Sequence, residues 1–421
     1  MASQNIVNLV DTAMVGTLGD RALAAVGMSG FVNFMAVSFM MGMSSGVQAM
    51  CARWKGAGRN GEIALPLNGG LLLAVLICVP TTAVLFAAIP AILAALAPEP
   101  AVAEIGSGYL RLRILGMTAV GMNFTFRGYW NAMNMSRLYM ATLIAMHVCG
   151  IALNWVLIFG HLGAPALGAL GAGASNAISV WVGTAVYFGL AWRYGRREGF
   201  LAGLPSRETL RNMFMISLPA GLQQVLFASG MVALFAILAR VGTAEVAAAN
   251  VLINVMLITI LPSIGFGLAA ATLVGQSLGA GDAAEACAWG WRVARFGAAI
   301  VAVIAIPALV APDLVLLAFL HDPATREIAV WPLRLAALAT PLECIAVVLM
   351  NAHLGAGSSR NVLAVSVVTQ WGVFLPAAWL LGPVLGFGML AIWGAQAASR
   401  VLSLALFAWS WHRRAWARVK L

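Results

Sequence analysis

Residues 71–96 read LLLAVLICVPTTAVLFAAIPAILAAL, a run without a single charged side chain. A helix needs roughly 20 apolar residues to cross the hydrocarbon of a bilayer, and further apolar runs at 300–320 and 335–350 meet or approach that length. Only 9% of the chain is charged and 62% is hydrophobic, whereas soluble domains carry roughly 25% charged residues. The alternation typical of barrel strands is absent. The sequence therefore predicts an all-α integral membrane protein.

The formal net charge of +10 comes from basic residues that are grouped in short hydrophilic breaks. Membrane proteins concentrate Lys and Arg in cytoplasmic loops, so the pattern predicts cytoplasmic breaks and excludes a nucleic-acid partner. The five cysteines are scattered in apolar stretches without C-x-x-C spacing, which predicts neither disulfides nor a metal site. The basic groups are Arg53, Lys55 and Arg59; Arg193, Arg196, Arg197, Arg207 and Arg211; and Arg413, Arg414, Arg418 and Lys420.

Division of the chain at its Gly, Pro and charged breaks predicts twelve transmembrane helices. An even number places both termini on one side, and the basic breaks after spans 2, 6 and 12 make that side cytoplasmic. We expect an N-terminal lobe at 1–193, a cytoplasmic linker at 194–208, a C-terminal lobe at 209–412 and a basic tail at 413–421. The spans lie near 1–16, 24–50, 66–96, 107–132, 138–160, 168–193, 209–240, 246–275, 288–320, 328–354, 361–382 and 388–412.

The chain also matches itself, without a gap, at an offset of 223 residues. Gly56-Ala57-Gly58 falls on Gly279-Ala280-Gly281, and Leu110-Arg111-Leu112 falls on Leu333-Arg334-Leu335. Parallel repeats of this kind occur in several transporters, with the binding site at the interface of the repeats. The repeat predicts two six-helix pseudo-symmetric lobes around a central cleft.

The same offset indicates that the first span is short. Span 7 begins near Thr209, whose repeat partner would precede Met1. Sixteen residues at about 1.5 Å each reach only about 24 Å of a ~30 Å hydrocarbon core. We therefore expect helix 1 to be incomplete, through an N-terminal truncation or a misassigned start.

An acidic residue, Asp11, interrupts the first span in NLVDTAMVG, residues 8–16. A carboxylate at the centre of a membrane helix costs about 2.5–3.5 kcal/mol on insertion scales, so it normally faces a cavity or a partner. Gln4, Asn8 and Asp11 share one helix face. The repeat places Leu234 at the position equivalent to Asp11, so the fold does not need the acid. The alternative is that Asp11 is merely solvated near the outer end of the span.

Glu343 is the other acid well inside a span, two residues after Pro341, and its repeat equivalent is Val120. Burial disfavours the ionised form of a carboxylate and a nearby cation favours it. Asp11 and Glu343 could therefore each exchange a proton for a cation. The alternative for Glu343 is a protonated structural acid that is hydrogen-bonded to backbone freed by Pro341.

Other polar residues inside the spans are the amides Asn154, Asn176, Gln223 and Gln224. Taken singly, each is more simply explained as a hydrogen-bond partner between helices. Arg127 is expected to extend to the cytoplasmic interface and to be the sole basic side chain well inside a span. Methionines such as Met35 could line an adaptable cavity, although lipid-facing and core positions are their commoner role.

Catalytic motifs are weak in this sequence. Residues 42–46 read GMSSG and match G-x-S-x-G, but that nucleophile elbow needs a preceding strand. The stretch better fits close packing of helices through small residues. Neither a Walker loop nor H-E-x-x-H occurs. The sequence therefore predicts no enzyme, no cofactor and no resident metal.

Three stretches resemble the multidrug and toxic compound extrusion (MATE) transporters: VDTAMVGTLGDRALAAVG at 10–27, the Gly-Ala-Gly after the second span, and NWVLIFGHLGAPALGALGAG at 154–173. The resemblance implies a V-shaped cleft between two lobes and efflux of cationic or amphiphilic compounds driven by inward H⁺ or Na⁺. It also implies that Asp11, Asn154 and Asn176 belong to a coupling-ion site of the N-terminal lobe, and that Glu343 is the acid of a C-terminal site.

The chain departs from the family pattern in two places. Phe227 replaces a seventh-span acid of many relatives, and Asn154 stands where Asp is frequent. A Na⁺ site needs several hard oxygen ligands, so these losses favour H⁺ as the coupling ion over Na⁺. The predicted substrate-cleft residues are Asn8, Met35, Gln223, Gln224 and Phe227.

We therefore expect a monomeric multi-pass protein of the bacterial cytoplasmic (inner) membrane that exports small organic molecules, such as drugs and toxins, in exchange for H⁺ by alternating access. Three alternatives stay open. A lipid-precursor flippase of the same superfamily would need a more cationic cavity, and a passive channel leaves the two acids unexplained. A membrane-embedded enzyme lacks a visible nucleophile and base.

Overall fold

The computed structural model describes residues 10–97, 99–317, 319 and 322–419. Regular structure in these ranges is helical and contains no strand, which confirms the predicted all-α class. The helices are α1 (10–16), α2 (Asp20–Gly56), α3 (Leu65–Leu96), α4 (Pro100–Ile114), α5 (Met117–Ala132), α6 (Ser136–Phe159), α7 (Ala169–Gly195), α8 (Arg207–Val241), α9 (Thr243–Gly279), α10 (Ala283–Val310), α11 (Pro312–Leu317), α12 (Pro323–Gly355), α13 (Ser359–Val384) and α14 (Gly388–His412).

Ten helices of the described part are long and apolar enough to cross a membrane. They correspond to predicted spans 2, 3 and 5–12. The predicted first span, 1–16, lies mostly outside the described residues. The predicted fourth span, 107–132, is divided between α4 and α5 by a turn at Leu115 and Gly116.

The helix boundaries reproduce the sequence repeat. Both ends of α2 are related to both ends of α9 by the offset of the repeat, and the start of α4 is related in the same way to the start of α12. The halves differ at the turn between α4 and α5, where α12 runs on without a break. A Cβ on Gly116 would lie only 3.1 Å from the Cα of Ala177, so this turn brings the backbone close to α7.

The chain divides into two compact units, and residues of the predicted linker fold against the first. The side chain of Asn68 on α3 donates to the carbonyl oxygens of Gly199 and Gly203 at 3.0 and 2.7 Å, and accepts from the Leu201 amide at 3.1 Å. The predicted lobe and linker boundaries stay a prediction. The units are Met1–Lys55 with Arg59–Gly221, and Gly56–Gly58 with Leu222–Leu421.

Packing in the first unit determines where Asp11 lies. Helix α6 packs against α7, and α7 against α4 and α5. Val15, fully buried at the end of α1, belongs to a hydrophobic cluster with Leu93 of α3, Tyr109 of α4 and Ile158 of α6. Asp11 lies one helical turn before Val15, so the two side chains share a face of α1. The core that holds Val15 therefore also holds the carboxylate inside the unit.

In the second unit, α12 packs against α9, α10 and α14. Leu234 of α8, the repeat equivalent of Asp11, is 1% exposed and belongs to the hydrophobic core together with Leu252, Leu333 and Ala336. The position that carries an acid in the first unit is therefore apolar core in the second.

The GMSSG stretch at 42–46 lies in the middle of α2. Within the first unit, Gly42 and Gly46 approach α8 so closely that a Cβ on Gly42 would collide with the backbone of Gly221, and one on Gly46 with the side chain of Ser217. Close helix packing through small residues is confirmed for this stretch.

Candidate coupling site

The first unit brings together three polar side chains from three helices, Asp11 of α1, Asn154 of α6 and Ser175 of α7. Asn154 Nδ2 donates a hydrogen bond to Asp11 Oδ1 at 2.5 Å, and Ser175 Oγ donates to Asn154 Oδ1 at 2.5 Å. Asn154 and Ser175 are buried, and Asp11 is half-buried. We call these three side chains the acid–amide–hydroxyl cluster.

The hydroxyl of Ser175 has a second acceptor in its own helix. Its Oγ also lies 2.5 Å from the carbonyl oxygen of Gly171, one turn earlier. A hydroxyl has one proton to donate, so at any moment Ser175 donates either to Asn154 or to Gly171. The cluster can therefore change its hydrogen bonding without the movement of a helix.

A basic residue adds to the electrostatics of the cluster. Arg113 of α4 interacts electrostatically with Asp11, and its guanidinium contacts the hydroxyl of Tyr109. It gives the ionised carboxylate a counter-charge within the first unit. Arg113 was not expected from the sequence, but the repeat carried a signal, because its equivalent position is Ala336.

Ser175 is the α7 residue that is bonded in the cluster, and the role of its neighbour Asn176 in coupling stays a prediction. In the described part of the chain the side chain of Asn176 forms no hydrogen bond, and its carbonyl oxygen accepts one from Ser179 Oγ at 2.9 Å. Successive residues of a helix point about 100° apart, so polarity alone could not distinguish the two neighbours. Asn8 and Gln4, the other members of the predicted polar stripe, lie outside the described residues.

The repeat shows that the cluster is confined to one half of the chain. Every polar member has an apolar equivalent in the second half, and two of these equivalents lie in one hydrophobic core. The second half therefore forms helices at the equivalent positions without the polar residues of the cluster. The equivalents of Asp11, Asn154, Ser175 and Arg113 are Leu234, Ala377, Ala398 and Ala336.

The second unit carries a different arrangement, an ion pair between Glu343 of α12 and Arg400 of α14 at 2.8 Å. Glu343 is buried. Its carboxylate is held by a guanidinium, whereas the alternative from the sequence was a protonated acid bonded to backbone freed by Pro341. The prediction that Arg127 is the sole basic side chain well inside a span is wrong, because Arg400 lies midway along α14.

Comparison with known proteins identifies the family. The sequence matches the MatE family over residues 1–156 and 219–380. The chain belongs to this family. Its members are transporters and not enzymes, so the resemblance to MATE transporters and the prediction of a non-enzymatic, multi-pass membrane protein are confirmed.

Relatives match this MATE transporter over nearly its whole length. It is 27% identical to "Multidrug resistance protein NorM" of Burkholderia vietnamiensis, over 97% of this chain and 90% of that protein. It is 29% identical to "Probable multidrug resistance protein NorM" of Aromatoleum aromaticum, over 95% of this chain and 88% of that protein.

Solved structures show the same fold. An outward-facing multidrug resistance MATE family transporter of the MOP superfamily matches with a TM-score of 0.88 and 19% identity, over 100% of this chain and 94% of that chain. A MATE structure in the bent conformation matches with a TM-score of 0.88 and 19% identity, over 99% and 92% of the two chains.

Met35, a predicted cleft residue, lines an apolar cavity in the first unit of the transporter. The cavity has a volume of about 410 Å³ and lies between residues of α2 and α3. Unbranched thioether side chains adapt their shape to a neighbour, so this part of the methionine-rich helix presents a deformable surface. The lining residues are Val32, Met35, Ala36, Phe39, Met40, Thr81 and Leu85.

The other predicted cleft residues, Gln223, Gln224 and Phe227, lie on α8 in the second unit. Gln223 is buried, and Phe227 is 41% exposed. The carbonyl oxygen of Phe227 accepts a hydrogen bond from Gln370 Nε2 at 3.2 Å. Gln370 lies in a π-helical part of α13. Their role in a substrate cleft stays a prediction.

Arg127 on α5 is bonded within the first unit. Its Nε donates to Ser44 Oγ of α2 at 3.1 Å, and its guanidinium lies 4.8 Å from the ring centroid of Phe124. The predicted extension of this side chain to the cytoplasmic interface stays a prediction.

Proposed function

We propose that this MATE transporter is an antiporter that exports cationic or amphiphilic small molecules in exchange for H⁺ by alternating access. The observation that carries the proposal is the hydrogen bond between Asn154 and Asp11. A carboxylate inside a membrane helix is costly, and the second half of the chain forms the same helices with Leu234 at this place. An acid that the membrane penalises and the fold does not need is best explained by function.

The acid–amide–hydroxyl cluster can satisfy Asp11 in either protonation state. When Asp11 is ionised, the Asn154 amide donates to the carboxylate and Ser175 donates to the Asn154 carbonyl. When Asp11 is protonated, a half-turn of the Asn154 amide lets the acid donate to its carbonyl. The amide then donates to Ser175, which donates to Gly171. In both states each of the three side chains keeps at least one hydrogen-bond partner, which lowers the penalty of burying polar groups during proton uptake.

Protonation of this cluster would bias the conformation of the transporter. Loss of the charge on Asp11 removes an attraction for a cationic substrate and changes which side chains donate across α1, α6 and α7. A ligand shifts a conformational equilibrium by its difference in affinity for the two states. By linkage, substrate binding must change the proton affinity of Asp11 by the same factor, and this reciprocity is what couples the two fluxes.

We favour H⁺ over Na⁺ because the cluster has few free oxygen ligands. Asn154 presents its amide nitrogen to Asp11, and its carbonyl oxygen already accepts from Ser175. Hard cations need several oxygen ligands around them, and one carboxylate beside a donor group falls short of that number. A proton needs a single acceptor.

The proposed substrate class rests on the cavity and on the names of the relatives. Met35, Phe39 and Met40 line the apolar cavity of the first unit, and methionine-rich surfaces accept ligands of varied shape. The relatives from Burkholderia vietnamiensis and Aromatoleum aromaticum are named as multidrug resistance proteins. An amphiphilic organic cation fits both facts, since its charge complements the ionised Asp11.

We further propose a monomer in the bacterial inner membrane, with the lobes 1–193 and 209–412 joined by a cytoplasmic linker at 194–208 and both termini cytoplasmic. The basic breaks after α2, between α7 and α8 and after α14 support this orientation, because Lys and Arg are retained on the cytoplasmic side.

Substrate-induced proton movement in proteoliposomes tests the proposal. Asp11→Asn keeps the size of the side chain and removes its titratable group, so we expect efflux driven by a proton gradient to fall to background. Asp20→Asn, which changes an exposed acid at the start of α2, is the matched control and should transport as the wild type does. Proton-driven efflux by Asp11→Asn at the wild-type rate would overturn the mechanism. Wild-type efflux that responds only to a Na⁺ gradient would show that the coupling ion is Na⁺ and not H⁺.

A further inference from the structure

The ion pair of Glu343 and Arg400 joins two packed helices of the second unit. The carboxylate on α12 and the guanidinium on α14 are 2.8 Å apart, with side-chain exposures of 8% and 31%. The Glu343 side chain is therefore almost inaccessible to solvent, and the long side chain of Arg400 reaches it from a less buried position. An ion pair in this environment is weakly screened by solvent.

The first half of the chain lacks both charges. The repeat equivalents of Glu343 and Arg400 are Val120 and Ala177, and Ala177 is buried. Replacement of a buried ion pair by apolar residues is often neutral or stabilising, and here the chain itself contains the apolar version. Stability of the six-helix unit therefore does not explain the pair.

The two intramembrane acids differ in the kind of partner they have. Asp11 is bonded to the neutral amide of Asn154, and Arg113 contacts Tyr109 and acts on Asp11 only over a longer range. Glu343 is bonded directly to a guanidinium, which stays protonated under all physiological conditions. A proton or metal ion that approached Glu343 would have to displace Arg400 and leave its charge unpaired inside the membrane, which is unfavourable.

We propose that Arg400 is a resident cation of the second unit, which permanently occupies the carboxylate of Glu343 and excludes the coupling ion from it. The transporter then exchanges coupling charge at one carboxylate, Asp11, in each cycle. This inference rests on the proposed function, since it concerns the number of carboxylates that take part in antiport.

The ratio of protons to substrate in proteoliposomes tests this assignment. The variant with Glu343→Val and Arg400→Ala together carries the residues of the first half, so it should keep the proton-to-substrate ratio of the wild type. Loss of proton-coupled exchange in this double variant, with its folding confirmed by thermal unfolding, would overturn the proposal and make Glu343 a coupling residue. If the double variant does not fold, the exchanged pair Glu343→Arg with Arg400→Glu takes its place, with the same expected ratio.

Chemical rescue gives a second measurement, which tests whether a free cation can occupy the site of Arg400 beside Glu343. Arg400→Ala removes the guanidinium from Glu343 and leaves a space beside its carboxyl group that fits a free guanidinium ion. We expect millimolar guanidinium to raise the unfolding temperature and the efflux rate of Arg400→Ala. The same concentration of NaCl should not do so, and neither the wild type nor the double variant should respond. An equal response of the double variant would refute binding of the cation at Glu343.

The two proposals fail in different variants. Wild-type coupling in Asp11→Asn would refute the proposed function whatever the result at Glu343. If Asp11→Asn loses efflux as expected and the Glu343 and Arg400 double variant also loses coupling, the proposed antiport at Asp11 stands. The resident-cation proposal is then refuted.

Discussion

Asn154 of α6 donates a 2.5 Å hydrogen bond to Asp11 of α1, and this contact ties the only described carboxylate of the first helix to the interior of its unit. Val15, one turn further along α1, is fully buried. The polar contact and the apolar anchor lie on the same helix face. A change in the protonation of Asp11 therefore alters the hydrogen bond that joins α1 to α6.

Asn154→Asp should change the ion that drives transport. The substitution places a second carboxylate beside Asp11 and removes the amide donor, so the site gains hard oxygen ligands and negative charge, both of which favour a metal cation. We expect efflux by this variant to be stimulated by a Na⁺ gradient, measured in proteoliposomes at constant pH. Asn176→Asp, one residue beyond the cluster, is the control and should not respond. If a Na⁺ gradient does not stimulate efflux by Asn154→Asp, the number of oxygen ligands does not determine the coupling ion.

Ser175→Ala should weaken both stability and proton coupling. The change leaves the buried carbonyl of Asn154 without its donor, and an unsatisfied buried group costs about 1–3 kcal/mol. It also removes the acceptor that the Asn154 amide uses when Asp11 is protonated. Thermal unfolding and proton-driven efflux measure the two effects. Ser179→Ala is the matched control, because within the described residues the Ser179 hydroxyl donates to the carbonyl of Asn176 in its own helix. Similar losses in both variants would show that the cluster has no special role.

The membrane fold could be predicted from the sequence because its constraints are local. A helix in lipid satisfies its own backbone hydrogen bonds and needs a long apolar run, and such runs are visible without knowledge of their neighbours. The repeat was visible for the same reason, and the matching bounds of α2 and α9 follow from it. The division of the fourth span at Leu115 and Gly116 was not visible, because it depends on the approach of α7 to Gly116.

The site could be predicted only in part, because its remaining members depend on how helices face each other. Asp11 and Asn154 stand out as polar groups in apolar helices, but the choice of Ser175 over Asn176 depends on the rotation of α7. The partner of Glu343 depends on the register between α12 and α14. Comparison of the two halves carried part of this information, since Arg113 and Arg400 both have alanine as their repeat equivalent.

Val15→Ala should loosen the first helix without touching a polar group. Removal of two methylene-sized groups from a fully buried side chain costs about 1.6 kcal/mol at ~0.8 kcal/mol each, and the cluster around Tyr109 and Ile158 loses a contact. We expect a lower unfolding temperature and a reduced proton-to-substrate ratio, since Asp11 is then less firmly held against Asn154. Leu18→Ala, at an exposed position of the following turn, is the control. An unchanged ratio in Val15→Ala would mean that the hydrogen bond alone positions the acid.

Gly42→Ala and Gly27→Ala form a matched pair on the same helix, α2. A Cβ on Gly42 would collide with the backbone of Gly221, whereas a Cβ on Gly27 would meet no atom within 4 Å. Alanine favours a helix over glycine by about 1 kcal/mol, so Gly27→Ala should be neutral or slightly stabilising. Gly42→Ala should be destabilising, because overpacking costs about 1–3 kcal/mol and rigid backbone cannot give way. Thermal unfolding of the purified variants measures the difference. If Gly42→Ala were as stable as Gly27→Ala, then α2 and α8 would not be packed as closely as the small residues of GMSSG indicate.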